Sequence, residues 1–236
     1  MGRLKRGVAS ALVADSREEK LVAQVRPYTM SDPTRLANLH RLVEDLEAAQ
    51  IPGDLVECGV CNGGSAALMA ATVTDSKRRL WLYDTFEGIP EAGPEDGEEA
   101  LRHTGDFVGN THRVHEVLGA VGWDPERCVW REGLFGDTLL QPLPEQIALL
   151  HIDADWYDSV METLEALYPR VSMGGAVVLD DFGHWEGARR AFYDFCSRHG
   201  LQPMLERRGY TQAHWWKGDE HTRHVLNRPR RSDHVP

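Results

Sequence analysis

Short apolar runs alternate with longer segments in which apolar residues recur at helical spacing, and the alternation continues over most of the chain. Five runs predict strands, at residues 55–56, 80–83, 128–131, 147–152 and 176–179. Two shorter runs, at 202–206 and 213–216, complete a predicted set of seven strands. Helical spacing occurs at residues 36–46, 65–71, 107–122, 160–167 and 185–198.

This alternation predicts an α/β protein in which a mostly parallel sheet carries helices on both faces. The run from Ile147 to Ile152 is apolar almost throughout, as expected for a strand that is covered on both sides. Asp32 and Pro33 form a typical helix start, in which an aspartate cap precedes a first-turn proline. The 236 residues fit one large domain, because the chain shows no internal repeat and no second set of elements.

A glycine-rich turn joins the first predicted strand to the helix that follows it. The strand closes on Glu57, Gly59 and Gly63 follow, and Ser65 opens the helix. Such a turn lets a ligand approach the backbone beside free helical N–H groups. The spacing is neither the dinucleotide fingerprint nor a phosphate loop. It resembles the first motif of S-adenosylmethionine (SAM)-dependent methyltransferases, and a tight turn without a ligand is the alternative.

Four predicted strands close on acids, namely Glu57, Asp84, Asp153 and Asp180. Because ligands of parallel sheets bind at the carboxyl ends of the strands, we expect these acids to share one site. After a glycine turn, Asp84 is well placed to accept hydrogen bonds from a ribose diol. The alternative for Asp84 is a purely structural turn or cap.

A second group of acids follows the last two parallel strands, and it contains Asp153, Asp155, Asp180 and Asp181. Carboxylates that lie close together raise one another's pKa, and a divalent cation removes their repulsion. The pattern therefore predicts a Mg²⁺ site. The alternative is helix capping, in which Asp155 or Asp158 would cap the next helix.

Charge and composition restrict the classes of partner. The formal net charge of −11 argues against a nucleic-acid surface, and no apolar run is long enough to span a membrane. The basic N-terminus is followed only by a short apolar patch, so we expect a cytoplasmic protein. Residues 87–106 form a long loop with seven acids and one arginine, which disfavours an anionic acceptor there.

Cys58 and Cys61 form a C-x-x-C pair, which we interpret as two small turn residues rather than a zinc or redox pair.

Four segments together resemble the macrocin O-methyltransferases: residues 52–60, 84–90, 151–159 and 167–181. The likeness covers residues 28–217 and reaches the catechol and caffeoyl-CoA O-methyltransferases more distantly. It implies a Rossmann-like class I SAM-dependent methyltransferase with a mostly parallel seven-stranded sheet. It also implies an enzyme that uses SAM and Mg²⁺ to methylate sugar hydroxyls on bacterial natural products.

The resemblance also implies which residues of this chain form the site. The implied cofactor-binding residues are Thr29, Met30, Glu57, Gly59, Gly63, Ser65, Asp84, Thr85, Phe86, Glu132, Gly133 and Asp153. By their positions in the family's motifs, the glycine-turn residues would line the methionine end of SAM. Asp84 would hold the ribose, and Glu132 and Gly133 would lie near the adenine. Mg²⁺ would be bound by Asp153, Asp180 and Asp181.

The chain departs from the catechol-type pattern at the position of the basic lysine. That pattern has a lysine three residues after the first metal aspartate, where this chain has Trp156. Asp155 is therefore the first candidate for the general base, and Asp153 is the second. His184 and His214 are weaker alternatives.

The predicted reaction is methyl transfer from SAM to one hydroxyl of a vicinal diol in a small-molecule glycoside. One alternative is a catechol or phenol acceptor on an aromatic natural product, and another is a SAM-binding module without catalysis. We expect an N-terminal lid or arm (1–30), a methyltransferase domain (31–217) and a polar tail (218–236). A homo-oligomer is a further expectation, whereas nucleic acid and membrane are not expected partners.

Overall fold

The computed structural model describes residues 17–75 and 77–218, and seven strands of this part form one sheet. They are β1 (Asp54–Cys58), β2 (Leu80–Asp84), β3 (Cys128–Glu132), β4 (Ile147–Ile152), β5 (Val171–Leu179), β6 (Glu206–Arg208) and β7 (Gln212–Trp216). The spatial order is β3-β2-β1-β4-β5-β7-β6. Strands β1 to β5 are parallel, and β7 lies antiparallel between β5 and β6. The predicted fold class is confirmed.

Helices cover both faces of this sheet. Residues 17–25 are helical (α1), and the later helices are α2 (Pro33–Ala48), α3 (Gly64–Thr72), α4 (Thr111–Ala120), α5 (Phe135–Thr138), α6 (Tyr157–Leu167) and α7 (Glu186–His199). The predicted start of α2 is confirmed, because the Asp32 carboxylate accepts hydrogen bonds from the backbone N–H groups of Thr34 and Arg35. None of the helices in the described ranges is long and apolar enough to cross a membrane.

Consecutive residues of the central strands pack into two separate apolar layers. Leu149 packs into the layer formed with α1 to α4, and Leu150 packs into the layer formed with α6 and α7. The same division separates Val178 from Val177 on β5. This is the reason why the central strands read as continuous apolar runs instead of alternating ones.

Three expectations need correction. The predicted strand at 202–206 is wrong, because β6 begins only at Glu206. The strand predicted at 176–179 is too short, because β5 begins at Val171 and passes through an irregularity at Gly174, which has a φ of +77°. The predicted arm at residues 1–30 has no regular spacing of apolar residues in the sequence. Its residues 17–25 nevertheless form α1 and bury Leu21 and Val25 in the main core. Residues 1–16 and the predicted tail from residue 219 onwards lie outside the described ranges.

The topology fixes where a ligand can bind. Strand β1 has β2 on one side and β4 on the other, so the chain changes direction across the sheet between β3 and β4. A crevice opens at such a switch point beyond the carboxyl ends of the strands. The glycine turn after β1 and the acids after β2, β4 and β5 all face this crevice.

Candidate active site

A cavity of about 640 Å³ lies at the carboxyl ends of β1, β2, β4 and β5. The segment before α2, the glycine turn and the 87–106 loop also contribute to its wall. The wall includes Gly59, Ser65, Asp84, Asp153 and Asp155. The volume lies in the range of small-molecule and cofactor pockets.

The glycine turn is built by close backbone contacts. Gly59 has a φ of +91°, and a Cβ atom there would lie 1.8 Å from the backbone oxygen of Asp153. The Oδ2 atom of Asp84 accepts the N–H groups of Val60 and Cys61 at 2.6 and 2.7 Å. Asp84 therefore has the structural turn role that was its alternative interpretation, and a ribose contact stays a prediction.

The carboxylates of Asp153, Asp180 and Asp181 converge, with one ligand oxygen from each lying within 4.8 Å of the others. Burial, together with the neighbouring aspartates, raises the pKa of Asp153 and of Asp181 well above the ordinary value. Burial also acts on Asp180, but hydrogen bonding and charge from His151, with the charge of Arg35, lower its pKa. The cluster thus combines one carboxyl group whose pKa is lowered with two whose pKa values are raised.

Asp180 is held by a buried polar network. The Nε2 of Gln212 donates to its Oδ1 at 2.7 Å, and Asn38 donates to the Gln212 carbonyl oxygen at 2.7 Å. His151 lies between Asp180 and Glu57, with its Nδ1 2.9 Å from the Glu57 Oε1 and its Nε2 3.5 Å from the Asp180 Oδ1. Burial lowers the pKa of His151, but its two carboxylate partners outweigh that effect and raise it to about 10.

Arg35 supplies a positive charge to the same cluster from α2. Its guanidinium pairs with Asp180 and, at 3.1 Å, with Asp32. It also donates to the backbone oxygen of Met30 at 3.3 Å. Arg35 therefore connects the segment before α2 to the acidic cluster.

The cluster fits a hard divalent cation. It offers only carboxylate oxygens, which are the ligands that Mg²⁺ prefers. The Oδ2 atom of Asp181 is buried and has no hydrogen-bond partner, so a polar atom in the cluster lacks the partner that buried groups normally have. Asp153, Asp180 and Asp181 are therefore the residues that could hold such an ion.

Asp155 lies beside this cluster in an unusual backbone conformation. Its φ is +56°, in the left-handed region that few residues other than glycine adopt. The indole Nε1 of Trp185 donates to its Oδ1 at 2.8 Å. Burial raises the pKa of Asp155 to about 6, although the hydrogen bonds from Trp185 and Asp181 act in the opposite direction. The site thus holds a half-buried carboxylate of raised basicity next to three further carboxylates.

The 87–106 loop packs over this corner of the cavity. Ile89, Ala92 and Ala100 form a small apolar cluster with Trp156. The Nε1 of Trp156 donates to a backbone oxygen of the loop at 2.8 Å. The tryptophan at the position of the catechol-type lysine is therefore a packing residue, and the acidic 87–106 loop has its own small core.

Asp96 attaches the same loop to two helices. Its Oδ1 accepts the backbone N–H of Tyr157 at 2.7 Å and so caps the start of α6. Its Oδ2 accepts the N–H of Gly93 at 2.8 Å. A Cβ atom on Gly187 of α7 would lie 1.7 Å from the Asp96 Oδ1. The cap of this helix, which was the alternative role considered for Asp155 or Asp158, therefore comes from the loop.

The family model of macrocin O-methyltransferases (TylF) matches residues 6–217. The chain belongs to this family. The sheet order and the crevice agree with the class I fold of SAM-dependent O-methyltransferases, and the predicted fold and enzyme class are confirmed.

Named relatives of this methyltransferase act on natural products. This chain is 35% identical over 196 residues to a rhamnosyl-tetracenomycin 4'-O-methyltransferase of Streptomyces olivaceus. The match covers 80% of this chain and 75% of the relative. It is 39% identical over 172 residues to the demethyldecarbamoylnovobiocin O-methyltransferase of Streptomyces niveus, covering 66% and 62%. The solved O-methyltransferase NovP superposes with a TM-score of 0.74 at 30% identity, covering 80% of this chain and 82% of NovP.

The cavity brings together most of the residues that the sequence proposed for this methyltransferase. Those in its wall are Thr29, Met30, Gly59, Ser65, Asp84, Thr85, Asp153, Asp155, Asp180 and Asp181. They come from five separate parts of the chain, and only the fold places them around one space. Their individual roles toward SAM stay predictions.

Five proposed cofactor residues lie outside the cavity wall: Glu57, Gly63, Phe86, Glu132 and Gly133. Glu57 is inside β1 and pairs with His151 in register. Gly63 precedes α3 with a φ of +83° and packs against α4, and the Phe86 ring lies 6.2 Å from that of Trp130. Glu132 is exposed at the end of β3, and Gly133 follows it in a left-handed turn.

Among the base candidates, Asp155, Asp153 and His184 line the cavity, whereas His214 lies on β7, 2% exposed, outside the wall. Sequence reasoning missed Arg35 and Trp185 as site residues. Their local sequence carries no motif. The contacts of Arg35 with Asp180 and of the Trp185 indole with Asp155 depend on how α2 and the start of α7 pack.

Proposed function

We propose that this methyltransferase transfers the methyl group of SAM to a hydroxyl of a sugar in a bacterial natural product, with Mg²⁺ as the activating ion. The observation that carries the proposal is the convergence of Asp153, Asp180 and Asp181 beside Asp155 at the edge of the cofactor crevice. A SAM-binding module needs no divalent cation, so this cluster favours catalysis. The relative named for methylation of a rhamnosyl-tetracenomycin supports a glycoside acceptor.

SAM would bind along the glycine turn, with Gly59 allowing a close backbone approach and Thr29 closing the cavity from the segment before α2. Ser65 at the start of α3 and the free N–H groups there would receive the carboxylate of the methionine part. Asp84 and Thr85 lie at the end of β2, where the ribose would be expected. The cavity wall thus orients the donor methyl toward the acids.

Asp153, Asp180 and Asp181 would hold Mg²⁺, which when bound supplies Lewis-acid polarisation and orientation of acceptor oxygens. Asp155 accepts the proton of the acceptor hydroxyl at one of its carboxylate oxygens as the oxygen attacks the methyl carbon. The carbon–sulfur bond breaks in the same in-line displacement, and S-adenosylhomocysteine leaves. Most of the protein's contribution is the positioning of donor, acceptor and base.

The test compares two acceptors that share a nitrophenyl group, para-nitrophenyl α-L-rhamnoside and nitrocatechol. Each is incubated with SAM and with or without Mg²⁺, and methylated product is measured by mass spectrometry. We expect Mg²⁺-dependent methylation of the rhamnoside. Methylation of nitrocatechol alone would instead support the phenol alternative, and SAM binding without transfer to any hydroxyl would support a binding module.

The base assignment has its own test. Asp155→Asn should lower kcat by about 100-fold or more, because general bases contribute about 10²- to 10⁴-fold. SAM affinity, measured by calorimetry, should change little. An equal loss of turnover and SAM affinity would contradict the assignment. A cytoplasmic location and a homo-oligomeric state stay predictions.

A further inference from the structure

Trp185 connects the two turns that carry the acids. It directly precedes α7, and its backbone N–H donates to the backbone oxygen of Asp181 at 3.1 Å. Its indole Nε1 donates to the Oδ1 of Asp155 at 2.8 Å. A single residue therefore links the turn after β5 to the turn after β4.

Asp155 needs such a partner, because its position is not fixed by a regular element. It lies between β4 and α6 and has a left-handed φ of +56°. Strained backbone of this kind persists where the surroundings hold it, and it is common at active sites. A donor on Oδ1 restricts rotation of the carboxylate.

Trp185 is itself held by other rings. Its ring meets Trp156 edge to face, with centroids 4.9 Å apart, and His103 of the 87–106 loop at 5.2 Å. Trp156 is only 2% exposed and is anchored to Pro90 by its own indole N–H. Edge-to-face contacts of this kind fix the orientation of aromatic rings. The indole N–H of Trp185 is therefore presented to Asp155 by a rigid cluster.

We infer that Trp185 is a positioning residue that holds the Asp155 carboxylate in the orientation in which it takes the acceptor proton. The inference rests on the proposed function, because it requires Asp155 to be the base. Trp185 makes and breaks no bond in the reaction. It acts only through the carboxylate that it binds.

The first test is Trp185→Phe, which keeps an aromatic ring and removes the N–H donor. The matched control is Trp81→Phe, because the Nε1 of Trp81 donates to Asp54 at the same 2.8 Å at the opposite end of the strands. With para-nitrophenyl α-L-rhamnoside, Trp185→Phe should lower kcat about 10- to 100-fold, as expected for loss of a hydrogen bond to a charged group. The KM for SAM should stay within about twofold for both variants. Equal effects of the two variants on kcat would overturn the inference.

A double-mutant cycle separates the inference from the proposed function. In an Asp155→Asn background, Trp185→Phe should change kcat by less than about twofold, because the two residues act as one unit. If the two losses multiply instead, Trp185 does not act through Asp155 and the inference fails alone. If Asp155→Asn keeps full activity, the base assignment fails and the inference fails with it.

A readout without turnover completes the test. The indole ¹⁵N–¹H resonance of Trp185 is identified by its absence in Trp185→Phe. It should move in Asp155→Ala, because the hydrogen-bond acceptor is removed, while the Trp81 resonance should not. An unmoved Trp185 resonance would overturn the inference even if no acceptor had been methylated.

Discussion

The backbone oxygen of Asp153 lies 1.8 Å from the point where a side chain on residue 59 would begin. Gly59 thus brings the glycine turn against the first acid of the cluster, and its φ of +91° adds a second requirement for glycine. Gly59→Ala should cost several kcal/mol, on the order of a severe core defect, because backbone atoms must move apart.

The matched control for Gly59→Ala is Gly122→Ala. Gly122 has a φ of +76°, and a Cβ there would have no atom within 4 Å. This variant should cost only about 1 to 2 kcal/mol, the penalty of a left-handed alanine. Urea unfolding compares the two, and similar losses would show that the approach of Asp153 is unimportant.

Asp181→Asn tests the repulsion within the acidic cluster. Without metal, removal of one of the crowded charges should raise the free energy of unfolding by about 1 kcal/mol, or roughly 2–4 °C in Tm. Mg²⁺ should raise the Tm of the wild type and leave that of the variant unchanged, because the ion stabilises only a protein that binds it. The control is Glu145→Gln at an exposed position. A variant that Mg²⁺ still stabilises would contradict the metal assignment.

Gln212→Leu tests the network behind Asp180. The substitution removes the N–H that donates to the Asp180 Oδ1 at 2.7 Å, although it leaves all three acids in place. Divalent-ion affinity should fall about 10- to 100-fold, as it does when groups that orient metal ligands are lost. Mn²⁺ titration followed by electron paramagnetic resonance measures the affinity. The exposed Gln202→Leu serves as the control, and equal affinities in the two variants would count against the network.

His214 gives a prediction on pH. Burial lowers its pKa to about 4, so the folded protein keeps it neutral where the unfolded chain, with an ordinary pKa near 6.5, gains a proton. Its contribution to stability is therefore complete above about pH 6.5 and is lost as the pH falls toward 4. Between pH 7 and pH 5, wild type should lose about 2 kcal/mol more than His214→Gln. Parallel urea titrations at the two pH values measure the difference, and equal losses would refute it.

The sequence predicted the central sheet well because its strands are buried on both faces. Strands such as β4 are apolar almost throughout, as expected for strands that are covered on both faces. Edge strand β6 could not be predicted in its correct place, because Glu206–Arg208 is polar and lies at the rim of the sheet. Helix α1 was missed because its few buried residues, among them Leu21 and Val25, stand among charged ones.

The candidate site also contains some residues that the sequence predicts and others that it does not. Asp153 and Asp180 could be predicted because each directly follows an apolar strand. The carboxyl ends of parallel strands lie at the same edge of the sheet, so these two residues are brought close together. Arg35 and the indole contact of Trp185 with Asp155 could not, because they join residues that are remote in sequence. The Asp96 cap of α6 was missed for the same reason. Local patterns report where the backbone goes, whereas contacts between distant elements depend on how those elements pack.

The attachment of Asp96 bears on efforts to exchange the 87–106 loop between family members. A chimera that imports a foreign 87–106 segment also removes the cap of α6, unless the imported segment carries an aspartate at the matching place. The recipient must in addition keep glycine at 187, since any side chain there would expel that carboxylate. The loop and the start of a core helix are therefore inherited together, and a graft succeeds only as a matched set of loop, aspartate and glycine.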